Sequence, residues 1–159
     1  MSNARYFDLV GDIVVILDDK ADVAFINSFG ADLLGMSRTD IIGKNWFDLF
    51  ITEKERPNFR KMYQKLLRTN DPNLIEYVND IYLANGNKLT IAWKNNVISD
   101  SACKISGIVS SGRDITAQLK SQEEIYEKVA ELEKINSLMI SRELKMIELK
   151  QEIEKLNKK

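Results

Sequence analysis

Side chains that could take part in chemistry are few in this chain of 159 residues, which contains no histidine and one cysteine, Cys103. The absence of histidine excludes Ser-His and Cys-His nucleophile pairs, histidine metal ligands and a histidine phosphoacceptor within the chain. The single cysteine excludes an intrachain disulfide and fits a reducing compartment, so we expect a cytoplasmic protein. We predict no catalytic residue and no metal site, and an enzyme of unknown type is the disfavoured alternative.

Three polar side chains, Asn79, Asn95 and Ser111, fall on strand positions that we predict to face the interior. A buried amide or hydroxyl costs stability unless it is hydrogen-bonded. One interpretation is that these groups orient a small ligand in an apolar pocket. The alternative is that they bond to backbone or buried water in a filled core, and the sequence leaves both open.

The elements that would position these side chains follow from apolar periodicity and turn signals. Helices are expected at residues 27–34, 37–42, 46–50 and 53–68, and strands at 13–17, 23–26, 75–83, 88–98 and 104–115. In the last strand we predict that Ile105, Gly107, Val109 and Ser111 point inward. Two strands, several short helices and three more strands predict an α+β fold, a five-stranded antiparallel sheet with short helices on one face.

The composition changes at residues 112–116, Gly-Arg-Asp-Ile-Thr. All seven glycines and both prolines lie at or before Gly112, whereas the 43 residues after Thr116 contain neither. We therefore expect a globular domain over residues 1–116 and a long C-terminal helix over 117–159. The net charge of −1 and the lack of a long apolar run predict no nucleic-acid partner and no membrane insertion.

A heptad repeat in the long helix predicts a coiled coil. Its a and d positions hold Lys128, Arg142 and eight apolar residues, which are Ile125, Leu132, Ile135, Met139, Met146, Leu149, Ile153 and Leu156. A lone helix of this length has no core against which to bury the apolar stripe, so we expect a parallel homodimer. The alternative is a helix that folds back at Asn136 and Ser137 to cover its own domain.

The order and spacing of several short motifs resembles PAS domains that are followed by a signalling helix, over residues 7–116. The motifs are Asn27 before the first short helix, Gly35-Met36-Ser37, Ile41-Ile42-Gly43-Lys44, Gly86-Asn87, Trp93-Lys94-Asn95 and the closing residues 112–116. The resemblance implies sensing and dimerisation, as in bacterial sensor histidine kinases, usually without catalysis. It also implies that Arg113, Asp114 and Thr116 transmit a signal, with a plain helix cap as the alternative.

The resemblance further implies a pocket between the sheet and the short helices. Its candidate lining residues are Phe47, Phe50, Met62, Tyr63, Ile75, Tyr77, Asn79, Leu89, Ile91, Trp93, Asn95, Val109 and Ser111. Flavin-binding LOV relatives carry a reactive cysteine in the helical stretch, where residues 43–47 here have none, and haem-binding relatives commonly use histidine. A cysteinyl flavin and a histidine-ligated haem are therefore disfavoured, whereas a small metabolite or a noncovalent flavin fits.

These observations together predict a signal-transduction sensor that binds a small ligand, a cofactor or a partner in its pocket. The signal would pass through the dimeric helix to a downstream signalling domain or a partner protein. The alternative is a ligand-free homodimerisation or protein-interaction module with a filled core.

Overall fold

The computed structural model describes residues 4–69, 71–99 and 105–157. Its strands are β1 (Ile13–Asp18), β2 (Val23–Ile26), β3 (Glu76–Tyr82), β4 (Lys88–Ser99) and β5 (Ile105–Asp114). They form one antiparallel sheet in the order β2-β1-β5-β4-β3. The predicted five-stranded α+β fold is confirmed, and β5 lies at the centre of the sheet. Cys103 and the predicted strand start at Lys104 lie outside the described residues.

The helix α1 (Ala4–Phe7) precedes the first strand, and further short helices connect the first two strands to the last three. These are α2 (Ser28–Leu34), α3 (Arg38–Ile41), α4 (Trp46–Phe50) and α5 (Arg56–Thr69), followed by a 3₁₀ turn over Pro72–Leu74. The ends of α2 agree with the sequence signals. The Asn27 side chain accepts a hydrogen bond from the Gly30 N–H at the start, and Gly35 ends the helix at a φ of 68°, in the left-handed region that favours glycine.

The hydrophobic core lies between the inner face of the sheet and the short helices. Val15, Ile91 and Ile108 contribute from three neighbouring strands, and Phe50 and Leu66 contribute from the helices that cover them. These side chains are almost completely removed from water. Burial of this apolar surface is the main favourable contribution to the stability of the domain.

Asn27 is a fully buried polar side chain at the edge of this core. Its Oδ1 accepts from the backbone N–H groups of Val14 (2.9 Å) and Gly30 (3.0 Å). Its Nδ2 donates to the carbonyls of Phe7 (2.9 Å) and Asp12 (3.0 Å). One amide therefore joins β1, α2 and the segment that follows α1, and all four of its bonds are made.

The predicted inward face of β5 is wrong for Val109 and Ser111, whereas Ile105 packs against the core and Gly107 is buried. After Gly107 the buried positions are Ile108, Ser110 and Gly112, and Val109 and Ser111 are only half-buried on the opposite face. The reason is an irregularity in the register, because Ile98 pairs with Gly107 while Ser99 pairs with Ile105. Ser106 is thus an extra residue, and one extra residue exchanges the two faces of every position that follows it.

The remaining helix, α6 (Thr116–Asn157), is 42 residues long and is unbroken at Asn136 and Ser137. By its contacts the chain divides into two compact units, residues 1–116 and 117–159. No described residue of α6 is buried. None of the helices in the described part of the chain is long and apolar enough to cross a membrane.

Candidate functional site

A small cavity lies between the inner face of the sheet and the helices α4 and α5. The space that admits water-sized molecules measures about 30 Å³, whereas the whole depression, with open solvent at its mouth, measures about 460 Å³. The larger volume includes open solvent, so the smaller one decides what the cavity holds as it stands. It has room for about two water molecules.

The lining of this cavity is predominantly apolar. Its aromatic members are Trp46, Phe47, Phe59, Tyr63, Tyr77 and Trp93. Its aliphatic and thioether members are Val15, Leu17, Met62, Leu66, Leu74 and Ile108. Only Asn95 and Ser110 add an amide and an aliphatic hydroxyl. A concave apolar site with a few polar groups is the general form of a small-molecule pocket.

The aromatic rings hold one another in fixed orientations. Trp46 packs edge-on against Trp93, with ring centroids 5.6 Å apart and planes at 88°. Phe47 packs edge-on against Tyr63 at 5.6 Å. Such edge-to-face pairs are favoured by the ring quadrupoles. The wall formed by α4, α5 and β4 is therefore built on aromatic pairs in a favoured geometry.

The amide of Asn95 is satisfied within the protein. Its Oδ1 accepts from the Ser110 hydroxyl at 2.6 Å, and its Nδ2 donates to the carbonyls of Leu74 (3.2 Å) and Ile75 (3.3 Å). Asn95 thus fastens β4 to β5 and to the turn before β3. Of the two interpretations of this amide, the structure shows the one in which it bonds to its own protein.

The lining residues also carry donors on aromatic side chains that are not used within the described part of the protein. Among the residues that the structure describes, no hydrogen bond engages the Tyr77 hydroxyl or the indole N–H of Trp46 or Trp93. Burial raises the pKa of Tyr77 to about 12, so its hydroxyl stays protonated well into the alkaline range. The Tyr63 hydroxyl is already used, because it donates to the Asp18 carbonyl at 2.6 Å.

The structure brings six of the thirteen predicted pocket residues together around the cavity. These six are Phe47, Met62, Tyr63, Tyr77, Trp93 and Asn95. Seven others lie outside the lining, namely Phe50, Ile75, Asn79, Leu89, Ile91, Val109 and Ser111. Phe50 and Ile91 belong to the core behind the wall, and the exchanged face of β5 accounts for Val109 and Ser111.

Asn79 lies on β3 opposite Ile91 and outside the cavity lining. Its Nδ2 donates to the Asp80 carbonyl at 2.9 Å. Its Oδ1 is buried without a hydrogen-bond partner among the described residues. The structure therefore shows this amide as only half satisfied.

Several lining residues were not predicted, and they differ in how clearly the sequence indicates them. Phe59 and Leu66 share the apolar face of α5 with Met62 and Tyr63, so the periodicity of that helix already indicated them. Trp46 precedes the predicted Phe47 in α4. Ile108 and Ser110 could be found only from the register, since the extra residue in β5 has no evident signature in the sequence.

The end of β5 connects the domain to α6 through short polar contacts. Asp114 Oδ1 accepts from the Thr116 N–H (2.9 Å) and from the Thr116 hydroxyl (2.6 Å). The Thr116 Oγ1 in turn accepts from the Thr90 N–H of β4 at 2.8 Å. Arg113 forms a bidentate salt bridge with Asp12, in which Nε donates to Oδ1 at 3.1 Å and Nη2 donates to Oδ2 at 3.0 Å. The start of α6 is thus fixed to two strands.

Gly112 brings the cavity wall close to this junction. A Cβ atom on Gly112 would meet ring atoms of Trp93 at 2.5 and 2.7 Å, so the indole lies directly on the glycine backbone. Trp93 is a lining residue, and Gly112 is its partner in the β4–β5 register. The same side chain therefore contacts both the cavity and the strand end that leads to Asp114.

The eight predicted dimer positions of α6 are all exposed in the single chain, from 46% for Ile135 to 72% for Leu156. Ile140, Leu144 and Ile147 form a second exposed group. Exposed apolar surface on this scale is unusual for a monomer and indicates an interaction site.

Within the described residues no group of three or more histidine, cysteine, aspartate or glutamate side chains could hold a metal ion.

Comparison with known protein families matches the PAS fold over residues 4–115. The chain belongs to the PAS family. Solved PAS structures share its fold, among them a PAS domain from Colwellia psychrerythraea with a TM-score of 0.61, which is 19% identical and covers 72% of this chain and 94% of that one. The PAS domain of the Cronobacter turicensis quorum-sensing receptor RpfR in complex with BDSF has a TM-score of 0.53 and is 23% identical, covering 67% of this chain and 96% of that one.

Two further relatives are regulatory or catalytic proteins that extend beyond the PAS domain. VqmA bound to DPO has a TM-score of 0.59 and is 18% identical, covering 70% of this chain and 55% of that one. The cyclic di-GMP phosphodiesterase PdeR of Escherichia coli K12 is 27% identical over 112 residues, which are 70% of this chain. The match spans 17% of the length of PdeR.

Proposed function

We propose that this PAS domain is the sensory part of a cytoplasmic signalling protein. A small molecule that enters the cavity shifts the cavity wall, and β5 passes the shift to a dimeric α6. Support comes from the family, since RpfR and VqmA were solved with the bound molecules BDSF and DPO. A small metabolite fits the proposal better than a flavin, because the cavity is about 30 Å³ before it opens.

The observation that carries this proposal is the contact between Trp93 and Gly112. A ligand that displaces the indole moves a group in direct contact with the backbone of β5. Two residues later Asp114 holds Thr116, the first residue of α6. The path from cavity to helix start therefore runs through one ring, one strand end and one hydrogen-bonded turn.

The exposed stripe of α6 supports a parallel homodimer in which the helices form a coiled coil. Packing the eight apolar a and d residues against a second copy would remove them from water. The dimer would give the sensor an output, because a shift at Thr116 changes how the two helices begin. A downstream signalling domain or partner protein would read that change, and the PAS domain itself would have no catalytic role.

Native mass spectrometry of the gently purified protein tests both parts of the proposal. We expect a species of twice the chain mass, the homodimer. In the fraction that carries ligand, the mass should be larger by that of the bound small molecule. A monomer without additional mass would contradict it.

A second candidate function is a ligand-free dimerisation module with a filled core. The small enclosed volume and the satisfied amide of Asn95 favour it. A bare dimer whose tryptophan signals respond to no small molecule would support this candidate over the sensor.

A further inference from the structure

The cavity wall contains no side chain that carries a charge at neutral pH. None of the described lining residues is Lys, Arg, Asp or Glu, and the chain has no histidine. A charged ligand group would lose its water and gain no partner of opposite charge. Such uncompensated burial would weaken binding by roughly a hundredfold or more.

Two carboxylates near Tyr63 make one end of the cavity still less suited to an anion. Asp18 and Asp19 lie at the end of the cavity where Tyr63 donates to the Asp18 carbonyl. The pKa of Tyr63 is raised, first by burial and then by these two carboxylates. A ligand carboxylate or phosphate would meet the same unfavourable field.

The lining residues include hydrogen-bond donors that could bond to an acceptor on a ligand. The donors of Asn95, Ser110 and Tyr63 already form hydrogen bonds within the protein. The Tyr77 hydroxyl and the indole N–H groups of Trp46 and Trp93 have no partner among the described residues. A ligand with a carbonyl, ether or ring-nitrogen acceptor would satisfy one of these donors, whereas a pure hydrocarbon would leave them as they are.

The size of the ligand is limited by how far the half-buried side chains of the wall can change conformation. Met62 and Phe59 of α5 are half-buried lining residues, and the Phe59 ring lies beside the Tyr77 ring with centroids 6.5 Å apart. Met62 can change rotamer at small cost, because its side chain is unbranched and flexible. A single-ring molecule could be admitted by such movements, whereas a larger one would have to open the aromatic wall.

We propose that the cavity selects a compact, uncharged and largely apolar molecule that carries one hydrogen-bond acceptor, to which the Tyr77 hydroxyl donates. This ligand class rests on the proposed sensory function and narrows it. Dicarboxylates, nucleotides, fatty carboxylates and amines would be excluded by charge.

Four single-ring probes of similar size test the proposal, namely acetophenone, ethylbenzene, benzoate and benzylammonium. The readout is nuclear magnetic resonance of the two indole N–H groups, because both tryptophans of the chain line the cavity. We expect acetophenone to shift these signals at the lowest concentration. Ethylbenzene should bind roughly 2–10-fold more weakly, by the loss of one neutral hydrogen bond. Benzoate and benzylammonium should bind about a hundredfold more weakly or not at all.

Tyr77→Phe supplies the matched variant. It should weaken acetophenone binding by roughly 2–10-fold and leave ethylbenzene unchanged. Tyr82→Phe, on the exposed face of the same strand, should change neither. Each of three results would overturn the ligand class. The first is a charged probe that binds with an affinity within tenfold of that of acetophenone. The others are equal effects of Tyr77→Phe on the affinity of both neutral probes, and no response to any probe. Binding of benzoate would leave the sensor proposal standing, whereas a bare monomer in native mass spectrometry would remove the sensor proposal itself.

Discussion

At the scale of single residues, Asn27 shows how one buried amide organises a domain. It satisfies two N–H groups and two carbonyls from three different segments. Asn27→Ala would leave these four backbone groups without their partner, and the two N–H groups among them are buried. We expect a loss of roughly 3 kcal/mol in the free energy of unfolding, measured by urea titration. Asn96→Ala, on the exposed side of β4, is the control, and an unchanged midpoint for Asn27→Ala would contradict this role.

The buried hydroxyl of Tyr77 should make the stability of the domain depend on pH in the alkaline range. Burial raises its pKa from about 10 in the unfolded chain to about 12 in the folded protein. The folded state therefore binds the phenolic proton more tightly, so this contribution to stability is complete below pH 10 and is lost as the pH rises toward 12. Tyr63 acts in the same direction. Tyr77→Phe should lose less stability than the wild type between pH 9 and 11 in urea titrations, and equal losses would contradict the assignment.

At the scale of elements, the β4–β5 pair carries the contact between cavity and helix. Gly112→Ala would place a methyl group within 2.5 Å of the Trp93 ring, so the indole must move. We expect a destabilisation of roughly 1–3 kcal/mol and a shift in tryptophan emission. Gly11→Ala is the control, because a Cβ atom there meets nothing within 4 Å. Unchanged emission in Gly112→Ala would show that the ring does not rest on the strand.

The turn between β5 and α6 can be tested separately from fold stability. Asp114→Ala removes the acceptor for the Thr116 N–H and hydroxyl. We expect a change in the distance between spin labels on the two copies of α6, while the urea midpoint moves little because Asp114 is exposed. The labels are attached at Gln151→Cys in a Cys103→Ser background, outside the a and d stripe. Ser111→Ala is the control, and unchanged label distances in Asp114→Ala would leave Asp114 a plain helix cap.

The same elements show why the sequence predicted part of the site. The polar pattern around Asn27 and Gly35 predicted α2 because caps depend on local chemistry. The face of α5 followed from its periodicity, and Met62 and Tyr63 were found in this way. The inward face of β5 was missed because Ser106 shifts the register, which only the pairing with β4 reveals. The bonds of Asn95 to Ser110 and to the turn before β3 likewise depend on contacts distant in sequence.

At the scale of the whole molecule, two compact units have complementary properties. The PAS domain holds a small uncharged cavity, and α6 presents an apolar stripe that needs a partner. Neither unit alone would make a sensor, because a ligand site needs an output and a coiled coil needs an input. The proposed function joins them through residues 112–116, where the composition of the sequence also changes.

In the proposed mechanism, the contents of the cavity change the geometry of the α6 dimer. This change can be measured as the distance between spin labels at Gln151→Cys in the Cys103→Ser protein, with and without saturating acetophenone. We predict that the distance distribution shifts when the indole N–H signals show the cavity to be occupied. An occupied cavity with an unchanged distribution would contradict the claim.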